Sequence, residues 1–308
     1  MSEERTVSKA PVVAVDDVVR RFKRHTALAG VSMRVQPGRV FGLVGENGAG
    51  KTTLIRCMLG LLQVHGGRVR VFGRDPVADP VGVLRQVGYV SEDRDLPDWM
   101  RVGELIRYTQ AFYPDWDEDY AEALRRQFGL DESTRVRHLS RGQRAQAALL
   151  IALAYRPALL LLDEPSSGLD PVVRRGILGA IVRTVADEGR TVVFSSHLLD
   201  EVERVADDVA MMHEGRLVLS GPLDEVKAAH RRVTFRFAEA PAGPPALAGA
   251  LWWEGAGREW TAICDGRLEE LRASAAEAGA EIVDEAAASL EEVFVARAGA
   301  GRTDLQEG

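Results

Sequence analysis

Polar and hydrophobic residues alternate in the first part of the chain, and this pattern predicts several short β-strands. The predicted strands cover residues 12–19, 31–35, 40–44, 68–72 and 87–90. Between the third and fourth of them, Leu54, Met58 and Leu61 recur at helical spacing, so residues 51–62 are predicted to form a helix. Strands that lead into a helix and then return indicate an α/β fold.

The central part of the chain is predicted to be mainly helical. Residues 102–156 form three predicted helical pieces, with a break at Pro114, a second piece at about 117–128 and a third that starts at Ser140. Leu159–Leu162 is an uninterrupted apolar run, as expected of a buried parallel strand. The pattern then predicts helices at 172–187 and 198–205, and strands at 191–195, 209–212 and 216–219. Alternation of this kind predicts a parallel sheet covered by helices.

The composition changes after His230, where a linker rich in Pro, Ala and Gly covers residues 239–245. Beyond it, the pattern predicts strands at 249–253, 259–264 and 280–284, and helices at 267–278 and 289–297. We therefore expect a disordered N-terminus (1–10), a large α/β domain (11–230), a small α+β domain (231–297) and a flexible tail (298–308).

Composition and charge exclude several classes of function. The 308 residues are 46% hydrophobic and 28% charged, with a net charge of −7, and residues 231–308 carry 8 basic and 14 acidic groups. Neither part is basic enough to predict a nucleic-acid partner. Two cysteines cannot form a disulfide framework or a metal cluster. The longest apolar stretch, 145–162, is interrupted by Arg156 and Pro157, so no membrane span is expected.

Residues Gly45–Thr52 match the pattern G-x-x-x-x-G-K-[ST], between a predicted strand and a predicted helix. The backbone N–H groups of such a loop, together with the positive end of the helix, bind phosphate oxygens. Lys51 is expected to reach the β- and γ-phosphates, Thr52 to bind Mg²⁺ and Thr53 to assist at the α-phosphate. A glycine-rich turn that arose by chance is the competing interpretation, and the flanking elements disfavour it.

Two adjacent acids, Asp163 and Glu164, follow the apolar run Leu159–Leu162. In phosphate-loop enzymes an acid at the end of a neighbouring strand completes the Mg²⁺ site, so we expect Asp163 to contribute to that site. Glu164 is then placed to polarise the attacking water. Two acids at a strand end could instead be solvent-exposed surface, but the phosphate loop favours the catalytic interpretation.

Three further motifs and one aromatic residue extend this pattern. The motifs are Leu139-Ser-Arg-Gly-Gln143, Asp163-Glu-Pro-Ser-Ser-Gly-Leu-Asp-Pro171 and Ser195-Ser-His197, and the aromatic residue is Phe22. In this order, over residues 12–230, they resemble the ATP-binding subunits of ATP-binding-cassette (ABC) transporters. The resemblance implies a P-loop NTPase cassette with a RecA-like parallel core, an antiparallel β-subdomain, a helical subdomain and a small C-terminal α+β appendage.

The resemblance also implies a role for each motif residue. Phe22 would stack on adenine, although it could also be ordinary core. Ser140, Gly142 and Gln143 would contact the ATP of a second cassette, and Asp170 would cross the interface between the cassettes. Simple helix capping is the competing interpretation for Ser140 and Asp170. His197 would contact the γ-phosphate, whereas a histidine after a strand can also be plain polar surface.

The complete expected site uses ATP and Mg²⁺. The expected catalytic residues are Lys51, Glu164 and His197, and the expected metal ligands are Thr52, Glu92 and Asp163. The expected nucleotide-binding residues are Phe22, Gly45, Asn47, Gly48, Ala49, Gly50, Lys51, Thr52, Thr53, Glu92, Ser140, Gly142, Gln143, Asp170 and His197.

Two positions depart from the usual pattern of the family. Glu92 follows the strand at 87–90 where the family usually has glutamine, and Arg141 replaces a glycine of the signature motif. A carboxylate can still bind Mg²⁺, and Ser140 and Gly142 are retained. Neither departure therefore predicts an inactive protein.

The resemblance implies an ATPase that powers an exporter through separate membrane permease subunits, from the inner face of the cell membrane. The end of the chain, Ser289–Phe294, looks like that of bacterial exporter cassettes. A second possibility is a soluble ABC ATPase that is not coupled to transport, for example one in iron–sulfur assembly. A third is a regulatory module without turnover, which the presence of Lys51, Asp163, Glu164 and His197 disfavours.

Overall fold

The structure is a computed structural model that describes residues 10–23, 25–186 and 189–303. The chain divides into two compact units, Met1–Leu217 and Val218–Gly308. The domain limits 11–230 and 231–297 remain predictions. Disorder was expected at 1–10, but residues 1–9 lie outside the described part of the chain.

The first unit contains most of the elements. In chain order they are β1 (Val13–Phe22), β2 (His25–Val35), β3 (Val40–Gly45), α1 (Lys51–Met58), β4 (Gly66–Val71), α2 (Pro80–Leu84), β5 (Val87–Val90), α3 (Val102–Gln110), α4 (Glu118–Gln127), α5 (Arg141–Leu153), β6 (Leu159–Leu162), α6 (Pro171–Ala186), β7 (Thr191–Ser196), α7 (Leu199–Val205) and β8 (Asp208–His213). Strand β9 (Arg216–Pro222) begins in this unit and ends in the second.

A parallel sheet forms the centre of the first unit. The six-stranded sheet has the order β5-β6-β7-β3-β8-β9, and the strands from β5 to β8 run parallel. All residues of β3, β6 and β7 are buried, which explains why none of these strands shows a regular alternation of polar and apolar residues. Because parallel strands end at the same edge, the segments that follow β3, β5, β6 and β7 are brought together there.

The antiparallel sheet of this unit has the order β2-β1-β4. Strands β1 and β2 are longer than the predicted 12–19 and 31–35, since their hairpin continues until Phe22 pairs with His25. Around the turn Arg21, Phe22, His25 and Thr26 are all exposed, so alternation alone did not reveal the end of the hairpin, although Ala27 and Leu28 are buried. Helix α1 ends at Met58 rather than at the predicted Leu62, because Gly60 adopts φ 72° and Leu61 N–H bonds back to Arg56 O.

The second unit is a small α+β structure. It contains α8 (Leu223–Ala229), β10 (His230–Arg236), β11 (Ala250–Ala256), β12 (Glu259–Asp265), α9 (Leu268–Glu277), β13 (Glu281–Ala287) and α10 (Leu290–Thr303). Its sheet is antiparallel throughout, in the order β11-β12-β10-β13. Val233, Phe235, Trp260 and Leu271 are among the residues of its core.

Three elements were not predicted from the sequence. Helices α2 and α8 are too short, at five and seven residues, to show a clear periodicity. Strand β10 was missed because only two of its apolar residues, Val233 and Phe235, are buried, and arginines make up much of the rest of the strand. The last helix was predicted to end at 297 but runs to Thr303, and residues 304–308 of the predicted tail lie outside the described chain.

Candidate functional site

The candidate site lies at the carboxyl edge of the parallel sheet. Strand β3 leads into the loop Gly45–Thr52, β5 leads to Glu92, β6 to Asp163 and Glu164, and β7 to His197. Strand β7 lies between β6 and β3 in the sheet. The residues at the end of β7 are therefore placed between the acids and the loop.

The loop Gly45–Thr52 has the backbone of a phosphate-binding turn. Gly50 has φ 104°, and a side chain there would collide with Ala27 O, so only glycine fits this position. Lys51, the first residue of α1, folds back over the loop and donates from Nζ to Gly45 O at 2.5 Å and to Glu46 O at 3.2 Å. The ammonium group is thus fixed beside the loop.

Asp163 is buried and is held by two hydroxyl groups. Its Oδ1 accepts hydrogen bonds from Thr52 Oγ1 at 3.1 Å and from Ser195 Oγ at 2.8 Å. Burial raises the pKa of Asp163, and the hydrogen bonds from Ser195 and Thr52 oppose that rise. Burial therefore disfavours the ionised form of this carboxylate, and a bound cation would stabilise it.

Glu164 is held on both sides of its carboxylate. Lys51 Nζ lies 3.1 Å from Oε1, and His197 Nδ1 lies 2.8 Å from Oε2. Because an ionised carboxylate can only accept, this hydrogen bond requires a proton on Nδ1 of His197. Both side chains of the Lys51–Glu164 pair are only 5% exposed, so water screens the pair little.

The backbone of Glu164 is strained. Its φ of 47° lies in the left-handed region, which costs on the order of 1–3 kcal/mol for a residue other than glycine. Its N–H donates to Ser195 Oγ at 2.8 Å. Ser195 therefore joins the two acids, since its hydroxyl donates to Asp163 and accepts from Glu164.

A cleft of about 360 Å³ opens beside these groups. Nine of the predicted site residues line it, namely Phe22, Asn47, Gly48, Gly50, Lys51, Thr52, Thr53, Glu92 and Glu164. Phe22 lies at one wall with the Arg20 guanidinium 4.6 Å from its ring centre, and it is 39% exposed rather than a core residue. Gly45 and Ala49 belong to the same loop, Asp163 touches Thr52, and His197 touches Glu164.

The remaining predicted residues lie elsewhere in the first unit. Ser140 and Gln143 form a capping box at the start of α5, with reciprocal bonds of 3.1 and 3.0 Å. Asp170 accepts from the N–H groups of Val172 and Val173 at the start of α6. None of these residues, nor Gly142, lines the cleft. Arg141 places its guanidinium group against Gly168.

Three polar residues near the site had no role assigned from the sequence. Ser195 was noted only as part of a motif, and Glu46 and His25 also line the cleft. The connection from Ser195 to both acids depends on β7 lying beside β6, which no local pattern reveals. The predicted ion contact of Glu92 is not tested by its place in the cleft wall, so it stays a prediction.

Two kinds of feature are absent from the residues that the structure describes. Within the described ranges, no group of three or more His, Cys, Asp or Glu side chains is arranged to hold a metal ion by itself. In the same part of the chain, no helix has both the length and the apolar character needed to span a bilayer.

Comparison with known proteins identifies relatives. The family profile described as ABC transporter matches residues 28–167. The ABC transporter ATP-binding protein YtrB of Bacillus subtilis is 29% identical over 90% of this chain and 95% of its own length. The daunorubicin resistance ATP-binding protein DrrA3 of Streptomyces coeruleorubidus is 33% identical, over 70% of each chain.

A solved structure of an ATP-binding subunit of an ABC transporter shares this fold. It superimposes with a TM-score of 0.65 and 28% identity, and the match covers 70% of this chain and 92% of the other. This similarity agrees with the predicted cassette architecture.

Removal of the Ser195 hydroxyl tests whether it secures the two acids. Ser195→Ala leaves the buried Glu164 N–H without its acceptor, and we expect a loss of about 1–3 kcal/mol in the free energy of unfolding. The exposed Ser133, whose hydroxyl bonds to Asp131, is a matched control that should change by less than about 0.5 kcal/mol. Equal shifts of the two variants in denaturant unfolding would contradict the assigned role.

Proposed function

Because this chain belongs to the ABC transporter ATP-binding proteins, the ATP-hydrolysing subunits of transporters, we propose that its cleft hydrolyses Mg²⁺-ATP to drive export through separate permease subunits. The observation that carries the proposal is the contact of Glu164 with both Lys51 and His197 at the edge of the cleft. None of the relatives described above supports a role in iron–sulfur assembly.

The phosphate groups are bound by the loop and by Lys51. The backbone N–H groups of the loop and the positive end of α1 face anionic oxygens. Lys51 adds a full positive charge at a point where its flexible stem is already ordered by two carbonyl contacts. Phe22 offers an exposed ring at the wall of the cleft, suited to stacking on the adenine.

Thr52 and Asp163 fit a Mg²⁺ ion. Their oxygen atoms lie 3.1 Å apart, and Mg²⁺ is bound in such sites by one or two protein oxygens together with phosphate oxygens and water. The burial that raises the pKa of Asp163 also favours a cation beside it. Glu92, which also lines the cleft, would supply a further carboxylate. The ion would neutralise charge on the phosphates during transfer.

Glu164 acts on the attacking water. Its carboxylate accepts a hydrogen bond from the water and takes up the proton as the water oxygen attacks the γ-phosphorus and the bond to the departing ADP oxygen breaks. Lys51 and His197 fix the direction of the carboxylate, since each contacts one of its oxygen atoms. Nδ1 of His197 is occupied by Glu164, so the contact that we assign to the γ-phosphate is a hydrogen bond donated by Nε2, which requires a proton on that nitrogen as well.

Replacement of the general base separates binding from turnover. In Glu164→Gln the proton acceptor is lost, so we expect kcat to fall by about 100-fold or more. ATP affinity should be retained, because the substitution removes a negative charge beside Lys51 and leaves the phosphate contacts in place. Steady-state ATPase assays and equilibrium ATP binding measure the two quantities.

The control for this variant is Glu118→Gln, which makes the same chemical change on α4, outside the cleft. It should keep wild-type turnover. Turnover of Glu164→Gln at the wild-type rate would contradict the proposed base. ATP should also shift Glu164→Gln, more than wild type, toward a dimer in size-exclusion chromatography.

We assign the residues outside the cleft to the nucleotide of a second cassette. Ser140 is exposed at the N-terminus of α5, where backbone N–H groups can meet a phosphate. Its capping hydrogen bond with Gln143 is compatible with this second use, because a hydroxyl group has more than one hydrogen-bonding position. We likewise assign Gly142 and Asp170 to contacts with the second cassette.

A groove in the first unit is suited to the permease. It has a volume of about 560 Å³ and is lined by apolar side chains, including Leu61, Leu62, Leu96 and Ile151, and by polar ones, including Arg56. Leu61 is 61% exposed. Apolar surface that is rimmed by polar groups marks protein interaction sites, and a permease bound there would hold the chain at the inner face of the membrane.

A charged residue in this groove should block assembly without harming the ATP site. Leu61→Glu places a carboxylate on the apolar surface, and a tagged variant should lose a multi-span membrane protein that wild type retains in detergent extracts. Val81→Glu, at a residue 60% exposed on α2 outside the groove, is the matched control and should retain it. Equal recovery with both variants would contradict this docking site.

A further inference from the structure

Arg94, to which the sequence analysis assigned no role, contacts the segment Glu164–Ser167. It follows β5 by four residues, is only 3% exposed, and reaches the segment that follows β6. Its Nη2 donates to Pro165 O at 3.0 Å and to Ser167 O at 3.0 Å, and lies 3.5 Å from Glu164 O. One guanidinium group thus contacts three carbonyl groups of the four residues from Glu164 to Ser167.

These contacts bear on the backbone of Glu164. That residue has a positive φ and therefore keeps its conformation only if its surroundings hold it there. Ser195 holds the N–H of Glu164, and Arg94 lies at its carbonyl and at the carbonyls that follow. Ser195 and Arg94 thus contact the backbone of Glu164 from opposite sides. Ser195 belongs to β7, and Arg94 belongs to the segment after β5.

The burial of Arg94 indicates that its charge is used there. A buried guanidinium group is costly unless hydrogen bonds replace its water. Carbonyl oxygens supply them at Nη2, whereas the buried Nε has no hydrogen-bond partner among the residues that the structure describes. Burial, with a smaller contribution from nearby Arg141, lowers the pKa of Arg94. An arginine needed only to fill space would be better replaced by an apolar side chain.

We propose that Arg94 is a positioning residue for ATP hydrolysis, which acts by holding the segment Glu164–Ser167 so that the Glu164 carboxylate faces the attacking water. This inference rests on the function proposed for Glu164. Arg94 also lines the groove that we assign to the permease, together with Asp95 and Leu96. A protein seated in that groove would therefore touch the residue that fixes the general base.

Substitution of Arg94 in the full chain tests the proposal. Arg94→Met keeps much of the stem and removes all donors, so Glu164 can relax while the phosphate loop is unchanged. We expect kcat to fall by about 10- to 100-fold, as for a displaced catalytic group, and the KM for ATP to stay within about twofold. Arg94→Lys, which keeps the charge and part of the donor set, should lie between wild type and Arg94→Met.

Chemical rescue supplies a readout that a structural role would not move. In Arg94→Ala, guanidinium chloride at millimolar concentration, below the denaturing range, should restore part of kcat in a saturable way. The control is Arg70→Ala, which removes an exposed arginine that donates to Gly73 O. It should show wild-type kcat and no response to guanidinium.

Each outcome decides the proposal. Wild-type kcat in a folded Arg94→Met, or equal losses of kcat and ATP affinity without rescue, would overturn it. If Arg94→Met does not fold, a reduced kcat at unchanged KM in Arg94→Lys supports the proposal, and a wild-type kcat overturns it. Glu164→Gln is measured beside the Arg94 variants. Wild-type turnover of Glu164→Gln would refute the proposed function itself. If Glu164→Gln loses turnover but Arg94→Met keeps the wild-type kcat, only the inference about Arg94 is refuted.

Discussion

The buried ion pair between Lys51 and Glu164 is the interaction on which the rest of the site depends. It joins the first residue of α1 to the residue after Asp163, although 113 positions separate them in the chain. Loss of one partner from such a pair costs about 3–5 kcal/mol, because the other charge stays buried and uncompensated. The parallel sheet makes the pair possible, since β3 and β6 end at one edge with only β7 between them.

The end of β7 fills the space between these two strands. Ser195 bonds to both acids, and His197 bonds to the far oxygen of Glu164. Lys51, Ser195 and His197 thus hold one glutamate in a backbone conformation that it would not adopt alone. A base pre-organised in this way, which is the role we propose for Glu164, needs no rearrangement of its own at the moment of reaction, and this is the main advantage of a fixed polar site.

The sequence predicted the fold class and the edge of the sheet where the candidate site lies, while the chemical roles of the site residues stay predictions. Lys51, Thr52, Asp163, Glu164 and Glu92 could be placed at that edge because each comes after an apolar strand, and parallel strands deliver such residues to one edge. The positive φ of Glu164 could not be predicted, since nothing in a glutamate favours it. The contacts of Ser195 and Arg94 depend on which strands are neighbours, and that order is a property of the whole sheet. Strand β10 escaped notice because few of its residues are apolar.

The most direct test of this account is an experimental structure of the full chain with Mg²⁺ and a non-hydrolysable ATP analogue. The account predicts the triphosphate along Gly45–Thr52, the cation in contact with Thr52 and Asp163, and Glu164 still at positive φ with its carboxylate toward the γ-phosphate. A nucleotide bound away from this loop, or a Glu164 in extended conformation with its carboxylate turned from the phosphate, would contradict it.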